Sequence, residues 1–442
     1  MIISYFIFSL FVSIVFGAYG DVDLVKEHLE KYVNHTIDPC DDFYRHVCSD
    51  ASKQFVVKNL GQDAFNLKDM KTGKTIKETF QAAFNETDPN SLMNKLKSSG
   101  ELTKLDKDAE GNRKELKHFL AAILELPFVE SILNQPYVKK AEKAALDFVN
   151  DFKSYMSAEI EKTPWAINKK VTENLTMFLN TIEPMFLSDV YPIVKKYVEE
   201  MKEVDGPNGE VDQFNRVVYM NKRLENNWFF MNMVYWQLYS LLDFNAFNTQ
   251  TRIHSTPTLS RLYAPTSKAR TLGAMGPIIG HEIMHTAFVS EQDSKRDVPT
   301  GVLFDSFTKN VGCIGEHNNR VAQEYLKSQY NTSNTVEEDG ADLTSFESSY
   351  KVAKDQIANE ISDIPYIKNA DQMFFYASAA SFCFDIPNVV NKKDVHSHPY
   401  VRVNSRCAQS EGFQRAFNCK NTDRMVRLRD KCDIFGPDAP AN

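Results

Sequence analysis

Apolar side chains recur at three- and four-residue steps through Glu115–Leu124, Lys139–Lys162 and Asn168–Leu179. That periodicity belongs to amphipathic helices with one face turned to a core. The stretches lie in a longer run, from about Leu60 to Met201, that is rich in Lys, Glu, Leu, Phe and Ala and poor in Gly and Pro. The pattern predicts a helical lobe. It ends at Asp205-Gly206-Pro207-Asn208-Gly209, the strongest breaker cluster in the chain and the expected domain boundary. At the amino end, Ile2–Gly17 is almost unbroken apolar sequence that closes on Gly17-Ala18-Tyr19-Gly20. It reads as a secretory signal peptide over residues 1–20, with a membrane-retained signal anchor as the competing reading.

Past the boundary the pattern carries chemistry. Ile278 and Ile279 lead into Gly280-His281-Glu282-Ile283-Met284-His285, and Pro277 in front of them predicts a helix starting near that residue. Positions i and i+4 of a helix lie one above the other, so His281 and His285 present two imidazoles to one point. Zn²⁺ accepts neutral imidazole nitrogen in a tetrahedral site, and Glu282 beside the first ligand can act as general base on a water. A surface helix bearing two His and a Glu is the bland alternative, and the apolar lead-in argues against it. Further on, Glu338 and Asp342 stand four apart in Glu338-Asp339-Gly340-Ala341-Asp342, again on one face of a helix.

The HExxH segment, with ExxxD beginning 57 residues after its first His, resembles the neprilysin/endothelin-converting-enzyme family of zinc metallopeptidases. The resemblance implies a predominantly helical α+β fold, with a thermolysin-like zinc peptidase lobe capped by a helical lobe that is shorter here than in relatives. It implies residues 21–59 as an amino-terminal segment tied to the catalytic lobe, 60–205 as the helical cap and 206–442 as the catalytic domain. Glu338 is then the third ligand of a single Zn²⁺, after His281 and His285, and Asp342 orients a ligand imidazole. Phe244-Asn245-Ala246-Phe247 matches a motif on an edge strand, where Asn245 and Ala246 would hold an extended peptide. Asp394 to Asn404 matches the segment whose His, here His396, bonds the developing oxyanion. Its Arg, here Arg402, binds a substrate carbonyl; His398 is a rival for the first role. Ile278 would line the pocket beside the cleaved bond. This chain departs from the family in having Asp339 where Asn is usual, and Thr286-Ala287-Phe288 after the second His.

Composition adds the compartment. The chain has 442 residues, 43% of them hydrophobic and 25% charged, with a net charge of −8. No long basic run is present, so nucleic acid is not an expected partner; peptide substrates are. Seven Cys and sequons at Asn34, Asn85, Asn174 and Asn331 suit an oxidising, glycosylating route. The family pattern implies the pairs Cys40–Cys419, Cys48–Cys383 and Cys313–Cys432 and leaves Cys407 unmatched. Secretion is the expected destination; the alternative is an extracellular-facing plasma-membrane protein, with membrane contact only if the amino-terminal run is retained. Adjacent residues on a helix do not face one another, so Glu316-His317 reads as surface, as do His28, His35, His46 and His118. The expected function is a zinc-dependent metalloendopeptidase acting on extracellular peptides. The alternative is a secreted relative that binds zinc or peptides and cuts poorly.

Overall fold

The computed structural model describes residues 23–49, 78, 87–101, 126–163, 169–208, 212–226, 245–249, 252–285, 300–329, 332–384, 394–428 and 432–436. The expected signal peptide, Asn85, His118 and Asn331 lie outside the described residues. The fold is predominantly helical α+β. The elements that position the site are α1 (Leu24–Tyr32), α2 (Phe43–Val47), α3 (Pro136–Glu161), β1 (Glu183–Met185), β2 (Ala246–Thr249), β3 (Arg252–Ser255), α4 (Lys268–Met284), α5 (Thr300–Leu326), α6 (Thr332–Ile357), α7 (Ala370–Ala380), α8 (Pro399–Gln409) and α9 (Glu411–Phe417).

Helix α4 lies at the centre, packed chiefly on α6 and α7 and also on α3. It begins at Lys268 with Ser267 as its cap, about two and a half turns before the expected start near Pro277, which sits inside the helix instead. Proline breaks exposed helices because it removes a donor and crowds the preceding turn. Here every residue from Ala269 to Pro277 is buried, and packing on all sides overrides the local penalty. At Gly273 an added Cβ would overlap the backbone of Phe374, so α7 approaches as closely as a glycine allows. Gly276 and Gly280 continue the groove, and a Cβ at either would come 3.0 Å from the rings of Phe148 and Phe152 respectively. Those rings belong to the apolar stripe of α3, Val138, Ala141, Ala145, Phe148, Phe152, Met156 and Ile160. The stripe predicted over Lys139–Lys162 therefore packs directly on the helix that carries the His pair, and one core cluster runs from α1 to Phe435.

The start of α4 is held by charge. Ser267 Oγ accepts from the Arg270 amide at 3.0 Å, and Glu360 accepts from the Ala269 amide at 2.8 Å, placing a carboxylate where the helix dipole favours one. Arg270, fully buried, pairs with Asp23 at 2.8 Å and Asp363 at 2.5 Å, so the amino-terminal segment is docked onto the base of α4. Disulfides Cys40–Cys419 and Cys48–Cys383 fasten the same segment to the carboxy-terminal half, and Cys313–Cys432 ties α5 to the chain end. Cys407 is free and buried. Closing a loop of a hundred residues or more stabilises by up to about 5 kcal/mol in the chain-entropy picture.

Strands β1, β3 and β2 form a sheet in that order among the described residues, β1 parallel and β2 antiparallel to β3. Within that sheet β2 is an edge strand. The register pairs Ala246 with Ser255 and Phe247 with His254. Ala246 is buried on the side of α4, while the Phe247 ring stacks on His254 at 4.6 Å.

Three residues read as surface histidines are core residues instead. His28, His46 and His317 are all buried. Each finds a carbonyl: His28 that of Val47 at 3.2 Å, His46 that of Ile37 at 2.7 Å, His317 that of Ser405 at 3.2 Å. A neutral imidazole with a local acceptor is acceptable in a core, and the helical stripe of α5 carries His317 inward.

Candidate metal and peptide site

The last turn of α4 and the first half of α6 bring three donor atoms together. His281 Nε2 lies 3.0 Å from His285 Nε2 and 3.0 Å from Glu338 Oε2, and His285 Nε2 is 3.6 Å from the same oxygen. Two ligands held about 2.1 Å from a tetrahedral zinc lie about 3.4 Å apart. The three separations scatter around that value, and among the described residues outside the disulfides this is the one His/Cys/Asp/Glu trio so gathered. The donor set, two imidazoles and a carboxylate, is the chemistry zinc takes in sites that leave a fourth position open. The residues fit the ion.

Behind the ligands, Asp342 Oδ1 is 3.0 Å from His281 Nδ1. A hydrogen on Nδ1 donated to that carboxylate leaves the Nε2 lone pair free for a metal. Asp342 is itself held by Arg402, whose Nε and Nη2 donate to it at 2.5 and 2.8 Å. Burial raises the Asp342 carboxyl, but Arg402 and His281 outweigh burial and keep it well below the usual range. Two Arg402 donors are thus engaged with Asp342, beside the substrate role the resemblance implies. Burial lowers His281, yet Asp342 and Glu338 carry it up to about 10; burial and the charge on His281 press His285 down to about 4.

Glu282 is buried beside the trio, its Oε2 3.9 Å from His285 Nε2. Burial pushes its carboxyl up to about 7, in the range useful for taking and giving a proton at neutral pH. Ile278, half-buried, stands one turn earlier on the same helix face. His396 reaches Glu338 Oε2 with Nε2 at 3.3 Å, and its amide donates to Asp394 Oδ1 at 3.0 Å. The rival His398 is placed otherwise: it caps α8, its Nδ1 accepting from the Tyr400 amide at 3.1 Å. Asn245, exposed, precedes β2; its Oδ1 accepts from the Ala246 amide at 3.0 Å, and its carbonyl accepts from Thr256 Oγ1 at 2.7 Å. Asn34 is half-buried, with Thr36 Oγ1 donating to its Oδ1 at 2.7 Å.

Helix α8, which carries Arg402, is set by the amino-terminal segment. Asn404 Nδ2 donates to Asp42 at 3.0 Å and its Oδ1 accepts from the Tyr44 amide at 2.9 Å, while the Tyr400 hydroxyl donates to Asp42. The bridged amino end therefore contributes to where Arg402 stands.

Two residues near the site have no expectation attached in the sequence. Arg406, fully buried one turn after Arg402, has Nη1 3.9 Å from Asp342 Oδ1, and its guanidinium stacks 4.1 Å over Phe382. Its i, i+4 spacing from Arg402 was the available signal. Asn248 donates from Nδ2 to the Glu282 carbonyl at 2.6 Å, a contact between a strand and a helix end that no local pattern announces.

Residues 245–434 match the model of peptidase family M13. Neprilysin-3 of Drosophila melanogaster is 22% identical over 331 residues, 69% of this chain and 41% of its own length. The chain spans less than half the length of that curated relative. The open state of the Mycobacterium tuberculosis zinc metalloprotease Zmp1 shares the fold at a TM-score of 0.50 and 15% identity, over 77% of this chain and 55% of that one. PepO from Lactobacillus rhamnosis aligns at 17% identity and a TM-score of 0.43, over 66% and 46%. The matched stretch, less than half of the chain, contains the His pair, Glu338 and the Asp394–Arg402 segment, and through it the chain is similar to the neprilysin-like M13 peptidases.

Proposed function

We propose that the chain is a secreted, zinc-dependent endopeptidase acting on extracellular peptides, with the ion held by His281, His285 and Glu338. The observation that carries this reading is the convergence of those three donors within 4.8 Å of one another, with the buried carboxylate of Glu282 beside them. Zinc bound there would supply a Lewis acid and an activated water. Glu282, buried beside the trio, would take a proton at its carboxylate and give it to the leaving nitrogen. Asp342 keeps His281 in the tautomer that frees Nε2. Asn245 and the edge of β2 align the peptide by main-chain bonds, Ile278 and Arg402 border it, and His396 donates to the developing oxyanion. The disulfides suit an oxidising compartment, and no helix among the described residues is long and apolar enough to cross a membrane. Glycans on Asn34, Asn85, Asn174 and Asn331 belong to the same reading.

A second reading, a secreted relative that binds zinc or peptides without efficient cleavage, draws on one observation. His396 Nε2 lies 3.3 Å from Glu338 Oε2, near enough to compete for the fourth position. Metal analysis of the purified protein, with fluorogenic-peptide hydrolysis before and after chelation, tests both. Under the peptidase reading Glu282→Gln retains zinc and loses about 10²–10⁴-fold in kcat. Under the second reading wild type and variant are equally inert, and His396→Ala loosens the metal.

A further inference from the structure

We infer that Asn248 is a positioning residue for the end of α4, coupling the backbone of Glu282 to the strand along which a peptide would lie; the inference rests on the peptidase reading above. A helix leaves its last four carbonyls without partners in its own ladder. In α4, which ends at Met284, the His281 carbonyl is taken by the His285 amide at 3.2 Å. The Glu282 carbonyl is taken from outside, by Asn248 Nδ2 at 2.6 Å. That bond fixes the Glu282–Ile283 peptide unit, in the last turn of α4 between the base Glu282 and the ligand His285.

The strand geometry makes the contact specific. Side chains alternate along β2, so Asn248 shares the α4 side with buried Ala246, while Phe247 stacks on His254 opposite. Asn248 pairs with Ile253 and Thr249 with Arg252 in the register, which keeps the strand backbone in place while its side chain reaches the helix. Displacing a bound peptide along the β2 edge would then displace Glu282 with it. At the other end of the ligand set Asp342 and Arg402 hold His281; Asn248 does the corresponding service for Glu282 and His285.

The test compares Asn248→Ala, Asn248→Asp, which keeps the shape and loses the donor, and Asn248→Gln, which keeps a donor on a longer arm. In the chelated protein, amide hydrogen exchange at Ile283–His285 is expected to quicken about tenfold in the Ala and Asp variants. In the same variants zinc affinity, read by competition with a chelator, is expected to fall about tenfold. With peptide, kcat is expected to drop about tenfold with KM within about twofold, and Gln to recover part of each loss. An Asp variant that matches wild type in exchange and zinc affinity overturns the inference, as does a rise in KM alone. A wild type that takes up no zinc sinks the peptidase reading instead, and the exchange measurement on the metal-free protein still decides the role of Asn248.

Discussion

His281 and His317 are both buried, on neighbouring parts of the same core, and they titrate in opposite directions. Burial lowers His317 to about 4, its Nε2 meeting the Ser405 carbonyl at 3.2 Å. The same burial acts on His281, but Asp342 and Glu338 outweigh it and raise the ring to about 10. His28 and His254, each lowered to about 4 by burial, belong with His317. Burial by itself only excludes charge; the neighbours decide whether charge is called back. Glu282, Glu338 and Asp342 surround His281 and His285, whereas burial, joined at His254 by Arg252 and at His317 by Arg320, presses the other rings down. The first surroundings are built to hold a cation, the second to keep an imidazole neutral.

The largest expected effect breaks the neutral side of this comparison. His28, His254 and His317 each have a folded value near 4 against an ordinary 6.5. Above pH 6.5 neither state is protonated and the rings contribute nothing to the pH dependence. Between pH 6.5 and 4 the unfolded chain takes up protons that the folded chain refuses, so stability falls as the pH falls. One ring shifted over that whole window corresponds to on the order of 3 kcal/mol, and three rings to several. Urea midpoints measured in chelator from pH 7 to 4 are expected to drop continuously. A midpoint that stays level across that range would show that these rings are protonated within the fold. In His317→Gln the drop is expected to be shallower by one ring's share.

What the sequence could reveal follows from the range of the forces involved. Helix geometry is local, so the i, i+4 spacing of His281 and His285 already put both imidazoles on one point. The stripe from Val138 to Ile160 is likewise a local signal, and its boundaries come within a few residues of those observed. Glu338 meets the His pair only through tertiary packing, and the resemblance, not the periodicity, supplied it. Pro277 misplaced the start of α4 because a local rule about donors gave no weight to the burial of every neighbour from Ala269 onward. His317 escaped because a single His on a helix reads the same whether its face turns in or out. Asn248 and Arg406 had no signal strong enough: one acts from a strand on a helix end, and the other is a basic residue inside a core, where basic residues are rare.

On the charged side the comparison sharpens with Asp342→Asn. The amide can still accept from His281 Nδ1, but it removes the charge that distinguishes His281 from His317, and it leaves Arg402 without its bidentate partner. Zinc affinity is expected to fall about 10–100-fold, with peptide hydrolysis restored in part by excess zinc. If affinity and rate were both unchanged, Glu338 alone would account for the difference between the two histidines.

Arg406 gives the smallest and most discriminating change. Its guanidinium is stacked 4.1 Å over Phe382 and 5.0 Å over Phe346, donates from Nε to the Arg402 carbonyl at 2.9 Å, and stands 3.9 Å from Asp342. Burial lowers its own pKa to about 10, a sign that Asp342 only partly offsets the loss of water. Replacing a buried charge with an apolar chain of similar volume is often neutral or stabilising, because the desolvation penalty goes with the charge. Arg406→Met should therefore change stability by no more than about 1 kcal/mol, and it should weaken zinc by less than tenfold, since Arg402 and His281 remain on Asp342. Arg406→Ala, which also loses the stem packed between two rings, should cost about 2 kcal/mol more in stability with the same small effect on zinc. Chemical denaturation and chelator competition on the two variants separate packing from charge. A Met variant that loses as much zinc affinity as Asp342→Asn would mean that the second arginine, not the first, sets the charge His281 feels.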